Sequence, residues 1–174
     1  FVNIDGKNAT SSLIVKSVYG GNDIAGIIGN STNAWTLPDD IKTKFSQEIV
    51  GNTFIYSSTN TQYPVIIGSL YGGGNGDYTY TAQDGKFNVA VGSETFEVEN
   101  KPELNNTHIK LLGGIYGHIY GGGNKATITD NTTIHWENGL TIEENSQFHR
   151  DHREPLDESM EAEMYFAACK MLQE

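Results

Sequence analysis

Apolar and polar positions alternate in short runs along most of the chain. "TFIYSS" (53–58), "YPVIIGSLY" (63–71), "YTYTA" (78–82), "KFNVAV" (86–91), "ETFEVE" (94–99), "THIKLLGGIYGHIY" (107–120), "ATITD" (126–130) and "TTIHW" (132–136) are rich in β-branched and aromatic residues. A period of two in segments this short predicts strands with one buried face. In "ETFEVE" it places Phe96 and Val98 inside and Glu97 and Glu99 in solvent. "DG" at 84–85 joins two alternating segments and predicts a hairpin. "PDDIKTKFSQEIV" (38–50) departs from the pattern. Pro38 near its start, with Ile41, Phe45 and Val50 roughly on one face, makes it a helix or loop inserted among strands.

One pattern recurs. "SVYGGND" (17–23), "SLYGGGNGD" (69–77) and "HIYGGGNKA" (118–126) each place an aliphatic residue before a tyrosine, then glycines, then asparagine. The tyrosines Tyr19, Tyr71 and Tyr120 are 52 and 49 residues apart. Asn30 and Asn131 each follow eleven residues behind a tyrosine, and both segments go on to a tryptophan, Trp35 and Trp136. A lone catalytic loop has no reason to occur three times, whereas a structural corner has. Glycine runs mark sharp turns or close backbone approach. If the units stack, corner asparagines form ladders and aromatic rings pile up. The predicted structural set is Tyr19, Gly20, Gly21 and Asn22; Tyr71, Gly72, Gly73, Gly74 and Asn75; Tyr120, Gly121, Gly122, Gly123 and Asn124. The first copy has two glycines rather than three, so its corner is expected to differ. Short strands between glycine corners, in units of about 50 residues, predict an all-β chain of β-solenoid or parallel β-helix type. The hairpin signal keeps an antiparallel β-sandwich as the alternative.

Composition sharpens this and divides the chain. There are 20 glycines and 4 prolines in 174 residues, which favours strands and turns over a helical bundle. Arg, Met and Cys occur only from Arg150 onward, and the last glycine is Gly139. Residues 143–174 carry nine acids against three bases, −6 of the total charge of −11. The division is therefore a β repeat domain over 1–142, a polar linker over 143–154 and an amphipathic helix over 155–174. Met160, Met164, Ala167, Ala168 and Met171 form its apolar stripe. That helix is a cap on an open sheet end, a tail foreign to the rest, or a dimerising element.

The acidic balance argues against nucleic-acid phosphates and anionic lipid as partners, and no apolar run is long enough for a membrane helix. The single cysteine, Cys169, excludes an internal disulfide framework. "GGGNKAT" lacks the helix start that a phosphate loop needs. Asp23 and Asp77 lie near the corners and offer oxygen ligands for calcium, although solvated turn acids are the simpler reading. "HRDH" (149–152) lacks the spacing of a zinc helix. No catalytic residue, metal ligand or cofactor site is assigned. Asp39, Asp40, Glu97, Glu99 and Asp130 are the carboxylates available to an alternative, a glycoside hydrolase or polysaccharide lyase on a β-helix.

"VIIGSLYGGGNGDYTY" followed by "THIKLLGGIYGHIYGGGNKATITDNTTI" resembles the repeats of large glycine-rich surface proteins of gut bacteria, over residues 12–138. The resemblance implies a stacked β architecture displayed outside the cell, a secreted or cell-surface location, and a non-enzymatic, structural or adhesin-like role. It makes neighbouring repeats of a longer parent protein the expected partners, and gives the motif residues a structural part. Aromatic rings and Asn/Thr amides and hydroxyls on such a surface suit glycans as a further partner.

Overall fold

The computed structural model describes residues 1–29, 39–45, 52–136, 140–142 and 148–149. Among these residues it is all-β apart from one short helix. The chain visits three parallel sheets in a fixed order and repeats the circuit. The first pass contributes β1 (Val2–Asp5), β2 (Leu13–Tyr19) and β3 (Ile27–Ile28). After helix α1 (Asp39–Phe45) the second pass supplies β4 (Asn52–Ser58) and β5 (Val65–Tyr71). The chain then leaves for an antiparallel excursion of β6 (Thr79–Gln83), β7 (Lys86–Val91) and β8 (Glu94–Val98), and rejoins at β9 (Glu103–Leu104). The third pass is β10 (Asn106–Leu112), β11 (Gly114–Tyr120) and β12 (Thr127–Ile128). Beyond it lie β13 (Thr132–Trp136), β14 (Leu140–Ile142) and β15 (Phe148–His149).

The sheets run β1-β4-β10-β13, β2-β5-β11-β14 and β3-β9-β12, with β15 also on β11. Sheet order therefore follows pass order, and every pairing in the three is parallel. Among the described residues, antiparallel pairing is confined to β6–β8. That excursion is where the hairpin signal belongs. Asp84 and Gly85 both have positive φ (51° and 80°), as a two-residue primed turn requires, and Gln83 faces Lys86 across it.

In-register pairing aligns like with like. Val2, Ile55, Ile109 and Ile134 form one row. Val18, Leu70 and Ile119 form a second, and Ile28, Leu104 and Ile128 a third. Ile55, Leu70, Ile109, Ile119, Leu104 and Ile128 are buried, each stabilising the fold by roughly 1.5–3 kcal/mol relative to exposure. Among the described residues Tyr116 is the one large polar side chain fully buried with them. Its hydroxyl donates to the Gly113 carbonyl (3.1 Å) and shares a hydrogen bond with the Ser57 hydroxyl (2.9 Å), and burial pushes its pKa up to about 12.

Three expectations need correction. The run 107–120 is two strands in different sheets, because Gly113 and Gly114 (φ 80° and 119°) turn the chain between them. Phe96 is exposed rather than inside, since β8 is the edge of a small sheet with little to cover it. The expected helix or loop contains α1, but the helix is only seven residues long. Its Phe45 ring meets Phe54 edge-on at 4.9 Å, and Lys44 lies over the Tyr56 ring, so it packs on the outer side of β4. Trp35, Asn30, Val50, residues 150–152 of "HRDH", Cys169 and the predicted C-terminal helix lie outside the described residues.

Candidate functional site

The three glycine corners lie side by side. Tyr19 pairs with Tyr71 and Tyr71 with Tyr120. Their rings stack at 4.9 Å and 4.5 Å between centroids, tilted by 5° and 3°, which is the strand spacing itself. Burial raises the pKa of Tyr71 and Tyr120, and neighbouring phenols add to the rise at Tyr71. The rings cover each other's faces within the row, and the Tyr71 hydroxyl is hydrogen-bonded to Ser69 and Tyr120.

Backbone groups of the corners bond from pass to pass. Gly20 N–H donates to the Tyr71 carbonyl and Gly72 N–H to that of Tyr120, both at 2.9 Å. Gly21 N–H donates to Gly73 and Gly73 N–H to Gly122 (3.1 and 3.0 Å). Asn75 N–H donates to Asn22, Asn124 N–H to Gly74, Gly76 N–H to Asp23 and Lys125 N–H to Asn75. These donors are satisfied within the stack, so they form no phosphate cradle. The segment after the third corner enters β12, not a helix.

The corner glycines serve close approach, not left-handed backbone. Gly20, Gly21, Gly72, Gly73, Gly74, Gly121, Gly122 and Gly123 all lack positive φ. A Cβ on Gly20 would press on the carbonyl oxygen of Gly72, and one on Gly72 on that of Gly121. A Cβ on Gly73 would stand 2.7 Å from Ile128 Cδ1 and 2.9 Å from Gly123 N. Two buried threonines, missed by the sequence reading, lock these carbonyls. Thr53 Oγ1 donates to Gly72 O (2.7 Å) and Thr107 Oγ1 to Gly121 O (2.6 Å). Both start strands and pair across β4 and β10. The only signal for them was a threonine at the head of "TFIYSS" and "THIKLL".

The asparagine row is real but offset from the one expected. Asn124 Nδ2 donates to Asn75 Oδ1 (3.0 Å), and Asn75 Nδ2 donates to Asp23 Oδ1 (2.9 Å). Asp23, not Asn22, is the counterpart of Asn75 and Asn124. Asn22 occupies the place of Gly74, because the first copy lacks no residue and instead carries asparagine where the third glycine would be. Asp23 also receives the Tyr78 hydroxyl at 2.9 Å. Asp77 pairs with Lys125, which holds its pKa below the usual carboxylate value. Both acids near the corners thus have protein partners. Among the described residues no three His, Cys, Asp or Glu side chains gather as a metal site. Two of the candidate carboxylates also have protein partners. Glu97 pairs with Lys86 on the outer face of β8, and Asp130 receives the Asn131 amide. No helix among the described residues is long and apolar enough to cross a membrane.

Comparison with protein-family models, with curated proteins and with solved structures returns no match.

Proposed function

We propose that the chain is a non-enzymatic structural module, a β-solenoid segment built from repeated glycine corners and displayed outside the cell or on its surface. The observation that carries this reading is the in-register stack of Tyr19, Tyr71 and Tyr120 with its corner backbone bonds. Groups that would serve chemistry in a catalytic loop are used there to join one pass to the next. The extracellular location and adhesin-like role rest on the resemblance to bacterial surface repeats. Glycans are a fitting partner, through hydrogen bonds to the row of phenol hydroxyls and the Ser17, Ser69 and His118 row beside it.

Two measurements test this. Amide exchange is expected to find Gly72 and Gly73 strongly protected, and free exchange at both would refute the stacked reading. A glycan array run beside a reducing-sugar release assay is expected to give no release. Release that disappears on neutralising one pair of carboxylates would replace the structural module with a carbohydrate-active enzyme.

A further inference from the structure

The glycine columns carry a direction. In the first two columns of the corner, a Cβ would point toward the following pass. On Gly20 and Gly72 it meets the carbonyl of the next corner, and on Gly21 and Gly73 the next corner's backbone nitrogen. These columns are glycine in all three passes, the first included. Two other columns point the opposite way. A Cβ on Gly74 would press on the Asn22 carbonyl, and one on Gly123 would stand 2.8 Å from the Gly74 carbonyl, both in the preceding pass. In the middle of the second sheet, a Cβ on Gly68 would stand 2.7 Å from the Lys16 carbonyl and one on Gly117 would press on that of Gly68. In these two columns the second and third passes have glycine, whereas the first has Asn22 and Lys16.

In these four columns glycine is present wherever another described pass demands it, and it is absent only in the first pass, in the two columns that point toward a pass before it. We infer that the first pass is built as the end of the stack. Lys16 and Asn22 place their Cβ atoms where another corner of this type would bring a backbone carbonyl, so no such corner seats on the open side of β2. Asp23 acts in the same direction. A carboxylate only accepts, so the amide row that runs from Asn124 through Asn75 ends on it. Among the described residues β2 pairs only with β5, and a lysine on such an edge is a recognised obstacle to edge pairing. A further pass of the same kind therefore stacks on the opposite side, where the forward columns carry Gly121 and Gly122 and the chain's own β14 and β15 already pair with β11. The inference rests on the stacked reading above.

The test uses the isotopically labelled chain and a synthetic peptide with the sequence of residues 65–77, which carries the second corner. The wild-type chain is expected to show no amide shifts in β2, Gly20 or Gly21 at millimolar peptide. The double variant Lys16→Gly/Asn22→Gly is expected to gain saturable shifts at those positions. Lys16→Gly/Asn22→Ala keeps a Cβ and is expected to refuse the peptide. Uptake by the wild type as strong as by the double variant overturns the inference, and that arm holds even if a variant does not fold. A folded double variant that takes up nothing overturns it too, as does uptake by the alanine variant equal to that of the glycine one. Protection of Gly72 and Gly73 in the wild-type chain separates these outcomes from failure of the stack itself.

Discussion

A methyl group added at Gly72 has no room, because Gly121 O and the Thr107 side chain already fill the place. Gly72→Ala is expected to destabilise the fold by about 3 kcal/mol, the upper end of overpacking in a core. Gly92→Ala meets no atom within 4 Å and is expected to lose only about 1 kcal/mol, from its positive φ. Denaturant melts of the pair check this, and equal losses would mean that the corner is looser than its bonds imply. Tyr116 gives a pH dependence. Its folded pKa of about 12 exceeds the unfolded value of 10, so the unfolded chain releases the proton first. The stability it confers is complete below pH 10 and is lost as pH rises from 10 to 12, with a slope approaching roughly 1.4 kcal/mol per unit. Tyr116→Phe should remove one proton's worth of that slope in melts between pH 9 and 12, and an unchanged slope would contradict the burial. At this scale the sequence was readable where a residue type has few uses. Tyrosine, glycine and asparagine in a fixed order announced a corner. The offset that puts Asp23 rather than Asn22 in the amide row was not readable. Matching residue types pulled Asn22 toward Asn75, whereas an ungapped count from the tyrosine pairs it with Gly74.

Strands were legible wherever they were long enough to show a period. β5, β7, β8, β11 and β13 fall within the alternating runs, and β4, β6 and β10 overrun theirs by a single residue. The two-residue strands β3 and β9 cannot show a period, and they exist because a neighbouring pass supplies their partners, whereas β12 lies inside the alternating run 126–130. The parallel sense of the sheets was carried by the repeat rather than by any single strand. Lateral pairs join residues far apart in the chain, such as Tyr19 with Tyr71 and Ile27 with Glu103, and no local pattern encodes such a partner. The excursion β6–β8 is the element with its own local instructions. Asp84 and Gly85 meet the demands of a primed turn, and Gly85 adopts φ 80° in open space. Gly85→Val is expected to destabilise the hairpin by about 1–2 kcal/mol through the left-handed backbone alone. Proton spectra of the variant should show shifts confined to β6–β8. Equal shifts in β5 or β11 would mean that the excursion is wedded to the stack more tightly than the Tyr80 hydroxyl on Ile24 and the Tyr78 hydroxyl on Asp23 imply.

Across the whole molecule, protection from exchange should follow position in the stack. Among the described residues β4, β5, β10 and β11 each have a strand on both sides, whereas β1 and β2 have one neighbour and β8 is an edge. A backbone amide bonded to an inner neighbour opens only when two passes separate, and their apolar rows are fully buried between the sheets. The excursion buries Val89 but leaves Phe96 and most of β6 and β8 exposed, so it opens without disturbing those rows. Native-state exchange is therefore expected to rank β5 and β11 slowest, β2 intermediate and β6–β8 fastest. Adding Gly72→Ala should accelerate β5 and β11 together while leaving the excursion unchanged, because it acts on the contact between the second and third corners. Uniform exchange across all three groups would describe a single cooperative unit and remove the distinction between stack and excursion. Acceleration of β6–β8 alone would show that the second corner is held by the excursion that follows it rather than by its neighbours in the stack.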